Sequence, residues 1–158
     1  MKKMICMAAA LLMVFLCAGG ALADQTVYLP GSAYRLALPD EMRYDGPGNK
    51  DEGDDAAFAY VHEGISLDIN FFCHDNKAGV TLETLADSLK QEGQEAELVT
   101  VSGVRMIVLR AVDPDDGAKC IDYFLADGDK IQEICFWYGT KEAASMTETI
   151  IRSITNKD

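Results

Sequence analysis

Between Glu97 and Tyr138 four apolar runs follow one another with only turn sequences between them. Glu97 to Val101 and Val104 to Val112 flank Ser102-Gly103. Lys119 to Ala126 and Lys130 to Tyr138 flank Asp127-Gly128. Connections this short cannot carry a crossover, so the consecutive runs must pair as antiparallel neighbours. The segment upstream follows the same logic. Thr26 to Pro30 and Ala33 to Leu38 read as strands about Gly31-Ser32, and Ala57 to His62 leads through Glu63-Gly64 into Ile65 to Cys73. In that last run Ile65, Leu67, Ile69, Phe71 and Cys73 face one way and Ser66, Asp68 and Asn70 the other, the period of a half-buried strand.

The period changes twice. Thr81 is placed to cap a helix whose Leu82, Leu85, Ala86 and Leu89 recur at helical spacing up to Gly93. Thr140 is placed to cap a second, with Ala143, Met146, Thr147, Ile150, Ile151 and Ile154 as its apolar stripe. Strands, helix, strands, helix with tight turns describe an α+β domain: an antiparallel β-sheet flanked by two amphipathic helices. At 158 residues one domain fits and two would be cramped. Asp45 to Asp55 holds no apolar residue except Pro47 and is expected to form a surface loop.

The first 23 residues read as an address outside this fold. Lys2 and Lys3 precede an apolar run from Met4 to Cys17, and Ala21-Leu22-Ala23 supplies the small-x-small pattern of a signal peptidase site. Cleavage is expected before Asp24, leaving residues 24–158 as a secreted domain with no stable membrane association. The run is shorter than the ~20 residues that a membrane span requires.

Removal of residues 1–23 takes two lysines and no acid. It leaves 12 basic residues against 26 acidic ones, a charge of −14 over 135 residues. That sign excludes a nucleic-acid partner, whose phosphates need a basic patch, and opposes binding to an anionic membrane surface.

Three cysteines then remain: Cys73, Cys120 and Cys135. With Asp127-Gly128 as a type I′ loop, Cys120 stands opposite Cys135, at about 5.5 Å between Cα atoms, within disulfide range. The pair Cys120 and Cys135 can therefore form a disulfide or stand as two reduced residues packed side by side, and the spacing alone leaves both open. The same register puts Asp122 opposite Glu133. No CxxC or HxxxH spacing supports zinc, and the adjacent Cys73 and His74 point to opposite faces. No metal or cofactor is expected.

Catalytic patterns are equally sparse. Ser32, Ser66, Ser88, Ser102, Ser145 and Ser153 lie outside any G-x-S-x-G context. His62 and His74 fall near strand ends too far apart to share a site, and no glycine-rich phosphate loop precedes a helix. Asp122 and Glu133 could form a carboxylate pair for acid–base work, the basis of an alternative reading as a small extracytoplasmic hydrolase. Asp51, Glu52, Asp54 and Asp55, with Asp113, Asp115 and Asp116, offer oxygen ligands for a calcium-dependent surface role, although neither loop has EF-hand spacing. Among Phe136, Trp137 and Tyr138, alternation requires part of the set to be core.

Several segments resemble the PsbP-like superfamily, which includes photosystem II extrinsic proteins, a Ran-binding nuclear-import factor and secreted bacterial proteins. Tyr34-Arg-Leu-Ala-Leu-Pro39 is similar to its opening strand, Thr81-Leu-Glu-Thr-Leu-Ala86 to its first helix and Val99-Thr-Val-Ser-Gly-Val104 to a strand–turn–strand. Tyr123-Phe-Leu-Ala-Asp-Gly128 with Ile131 to Phe136 resembles its late hairpin, and Ile150-Ile-Arg-Ser-Ile154 its closing helix. The resemblance implies an antiparallel sheet flanked by helices and a non-enzymatic binding or assembly role. It carries no shared catalytic motif, so no site residue follows from it. The chain is thus expected to be a secreted, non-catalytic module for an extracytoplasmic protein or small ligand.

Overall fold

A computed structural model describes residues 24–46, 56–113 and 117–156. The expected signal segment, residues 47–55 of the acidic loop and Asp115 and Asp116 lie outside the described residues. Seven strands form the main sheet: β3 (Arg43–Gly46), β4 (Ala56–His62), β5 (Ile65–Asp75), β6 (Glu97–Val101), β7 (Val104–Val112), β8 (Lys119–Asp127) and β9 (Lys130–Tyr138). Their order across the sheet is β3-β4-β5-β9-β8-β7-β6, every pair antiparallel. A second, three-stranded sheet joins β1 (Asp24–Tyr28) and β2 (Tyr34–Pro39) to β10 (Thr155–Asn156).

Turn chemistry sets the pairing. Glu63-Gly64 and Ser102-Gly103 both have positive φ at both positions (50° and 82° in each), the type I′ pattern that matches the twist of adjoining strands. The third hairpin differs from expectation. Its loop is Gly128-Asp129, with Asp127 paired to Lys130. Positive φ falls on Gly128 alone (63°), so glycine occupies the first central position, as in a type II′ turn. Cys120 consequently pairs with Trp137 and Asp122 with Cys135. The expected placement of Cys120 opposite Cys135, and of Asp122 opposite Glu133, is corrected by two residues.

Helix α1 (Leu82–Gln91) and helix α2 (Lys141–Arg152) begin where the sequence marks them. Thr81 Oγ1 accepts the Thr84 N–H at 3.2 Å, and Thr140 Oγ1 accepts the Ala143 N–H at 3.1 Å, each satisfying an otherwise free donor of the first turn. The helices lie on opposite faces of the main sheet. Ala143, Ile150 and Ile151 of α2 pack with Leu67, Ile69 and Phe71 of β5 and Ile134 and Phe136 of β9, and the face is completed by Leu36 and Leu38 of β2 and Leu29 of the β1–β2 connection. Leu82, Leu85, Ala86 and Leu89 of α1 pack on Ile107, Leu109, Phe124 and Ile131 on the other face. The arrangement is α+β and antiparallel, but one flanking layer is a helix plus a second sheet.

Two strands have no counterpart in the sequence reading. Arg43–Gly46 pairs with β4 through an irregular register between Tyr44 and Gly46, so Asp45 and Gly46, expected as the start of the acidic loop, belong to a strand. Its only large apolar side chain is Tyr44, whose ring meets Phe58 edge-on at 5.3 Å. Thr155–Asn156, expected as a polar tail, pairs with β2. Ser153 fixes the approach: its Oγ accepts the Ala37 N–H at 2.8 Å.

Phe136 is fully buried on the central strand β9, between the two strands that hold the sheet together. Phe136→Ala should cost about 3–5 kcal/mol in urea unfolding, whereas Val112→Ala, at an exposed site, should stay within about 0.5 kcal/mol. Similar costs for the two would contradict the assigned core.

Candidate functional site

Because side chains alternate along a strand, the register assigns four rows to the sheet face that carries α1. Across β5, β9 and β8 these are Asp68–Trp137–Cys120, Asn70–Cys135–Asp122, Phe72–Glu133–Phe124 and His74–Ile131–Ala126. The α1 layer reaches Phe124 and Ile131. Among the described residues no helix lies over the first two rows. Trp137 keeps 37% of its surface exposed there and Asp68 is exposed, whereas Phe136 and Tyr138, on the opposite face, are buried and half-buried.

The two thiols of these rows meet. Cys120 and Cys135 are each 5% exposed, and their sulfurs lie 3.4 Å apart without a bond between them. Diagonal placement in the corrected register still leaves both on one face. Cys120 Sγ also donates to Asp122 Oδ1 at 3.2 Å. The ligand atoms of Cys120, Asp122 and Cys135 all lie within 4.8 Å of one another. The hydrogen bond to Cys120, then burial, then the Asp122 charge push the Cys135 thiol far above the ordinary range. It is a protonated thiol at neutral pH while it keeps these partners.

The remaining candidates are separated. Glu133 stands opposite Phe124 and takes His74 as its partner, Oε2 to Nε2 at 2.6 Å, while the His74 ring stacks on Phe72 at 6.1 Å. The direct Asp122–Glu133 opposition on which a carboxylate pair depends is not formed. His62 sits beside Glu63 at the β4–β5 turn, and His74 lies near the other end of β5 on the other face. Cys73 points to the core side, 3.4 Å from Gln132 Nε2. Of the acidic loops, Asp113 is described: its N–H donates to Ala118 O and its carbonyl accepts the Gly117 N–H, which closes the turn. Asp45 is part of β3.

The sequence register already set Asp122 beside the two cysteines, but as the partner of Glu133 and not of the thiols. A signal was available in Cys120-Ile-Asp122, since residues two apart on a strand share a face. The loop assignment then sent Asp122 to the wrong partner.

No protein-family model matches the chain, and no curated protein matches it in sequence. Among solved structures, cyanobacterial PsbP (CyanoP) from Synechocystis sp. PCC 6803 superposes with a TM-score of 0.62 at 14% identity, covering 88% of this chain and 95% of that one. A Bacteroides thetaiotaomicron VPI-5482 protein gives 0.58 at 14% identity over 85% of this chain and 48% of its own, so this chain spans about half that protein's length. LpqN, involved in cell envelope biogenesis of Mycobacterium tuberculosis, gives 0.47 at 12% identity, too low to carry an argument. The fold is PsbP-like. At such identities the likeness concerns the fold alone.

The open face also has an electrostatic signature. Partial desolvation of the carboxyl by its strand neighbours, and then repulsion from Asp45, raise Asp68 above its ordinary range although the residue as a whole is exposed. A raised carboxyl in the folded state makes the ionised form destabilising at neutral pH. Asp68→Asn should therefore stabilise the protein at pH 7, with the gain vanishing as the pH falls through the raised value and Asp68 becomes neutral in the parent. Asp45→Asn should lower the Asp68 midpoint in an NMR carboxyl titration. A gain from Asp68→Asn undiminished at pH 3 would contradict this assignment.

Proposed function

We propose that this chain is a non-catalytic binding or assembly module that works outside the cytoplasm on an extracytoplasmic protein or a small ligand. One observation carries the reading. A sheet face that α1 covers only in part presents Trp137 and Phe72 among Asp68, Asn70 and Glu133. Two aromatic side chains on a rigid strand framework, separated by the Asn70–Cys135–Asp122 row and set among polar groups, offer contact area at little conformational cost. Location outside the cytoplasm rests on the signal pattern before Asp24.

The hydrolase reading loses the direct carboxylate opposition from which it was drawn. The calcium reading rests mostly on residues outside those described.

The test uses chemical crosslinking of the protein in its native extracytoplasmic fraction. A species captured by the parent should fall at least about tenfold with Trp137→Ala or Phe72→Ala, the scale of a central contact residue, and persist with Val112→Ala on the opposite face. Capture indifferent to both aromatic substitutions, or a reproducible turnover abolished by one side-chain change, would overturn the proposal.

A further inference from the structure

Two buried sulfurs and a carboxylate oxygen converge between β8 and β9, all within 4.8 Å of one another. In a tetrahedral zinc site with Zn–S near 2.3 Å and Zn–O near 2.0 Å, sulfurs stand about 3.8 Å apart and a sulfur and oxygen about 3.5 Å. The corresponding separations here are 3.4 Å and 3.2 Å. Each falls short of the zinc value by about 0.3–0.4 Å, and the third separation, Cys135 sulfur to Asp122 oxygen, also lies within 4.8 Å.

A disulfide asks for more. In the observed register the two cysteines are diagonal neighbours, for which Cα atoms stand about 7–8 Å apart, beyond the usual range of about 4.4–6.8 Å for a disulfide. Hard cations are also disfavoured, because Ca²⁺ and Mg²⁺ take oxygen ligands and two of the three donors are sulfur.

We propose that Cys120, Asp122 and Cys135 form a binding site for a thiophilic divalent cation of the Zn²⁺ class, with two thiolates and one carboxylate as protein ligands. The two thiols release their protons to solvent as the metal binds, and no electron is transferred. Asp122 is half-buried and marks the side of entry, and the exposed Asp68 lies on the same face. Three protein ligands leave a fourth position for water or for a donor from a bound partner, the pattern of open rather than closed zinc sites. Cys73 takes no part, because it lies on the core side of β5.

The experiment titrates the full protein, purified from its own source, reduced and freed of metal, with Co²⁺ as a spectroscopic probe and then Zn²⁺ as competitor. The expected result is one Co²⁺ per chain with a thiolate-to-cobalt charge-transfer band, bleached by one equivalent of Zn²⁺. Cys120→Ser and Cys135→Ser should each weaken binding by at least about 100-fold, beyond what loss of an outer-shell partner costs. Cys73→Ser should leave it unchanged. Asp122→Asn, at a half-buried position, reports on the site should a cysteine variant fail to fold, and should weaken Co²⁺ binding at least about tenfold. Absence of the band, its persistence in both Cys120→Ser and Cys135→Ser, its loss in Cys73→Ser, or Co²⁺ binding unchanged by Asp122→Asn would overturn the site. So would one titratable thiol, in place of three, in the protein as isolated, since that assigns the pair to a disulfide.

Discussion

Strand β9 is the member on which the rest of the main sheet depends, because it pairs with β8 on one side and β5 on the other. Its register with β8 comes from where glycine sits in a two-residue loop. Placing Gly128 at the first central position fixes Asp127 against Lys130, and every pair farther along the hairpin follows. The strand thereby delivers Phe136 and Ile134 to the core it shares with α2, and Cys135 and Trp137 to the opposite face. A slip of one residue would exchange these sets and bury Trp137 where Phe136 packs.

The covering layers are unequal. One face of the sheet is closed by α2 together with the β1-β2-β10 sheet, which ties itself to the main body through Ser32 Oγ on Asp127 at 2.5 Å and Gln132 Nε2 on Pro30 O at 3.2 Å. Among the described residues, α1 is the one helix on the other face. A helix of ten residues spans about 15 Å, less than the width of seven strands at about 4.8 Å each, so part of that face lies beyond its reach. The chemistry of the molecule, thiols, carboxylates and an exposed indole, gathers in the part α1 leaves open.

Much of this was legible in the sequence. Alternation in Ile65 to Cys73 identified the buried face of β5, and Thr81 and Thr140 marked the helix starts, because these signals are local and repeat several times. Strands Arg43–Gly46 and Thr155–Asn156 were not legible. Their stability comes from pairing with a neighbour already in place, and their own side chains are mostly exposed. The hairpin register was wrong by an even number of residues, and the consequence is instructive. Faces survive such an error and partners do not. The core assignment of Phe136 was therefore sound, while Asp122 was matched with Glu133 instead of Cys135. Familiar ligand spacings such as CxxC describe loops and turns. On a sheet the equivalent pattern is two donors at i and i+2 plus a third from the next strand, which only the register reveals.

The account therefore stands on the β8–β9 register, and NMR contacts between backbone protons across that hairpin test it most directly. The predicted result is Cys120 facing Trp137 and Asp122 facing Cys135. Contacts that place Cys120 directly opposite Cys135, and Asp122 opposite Glu133, would contradict it.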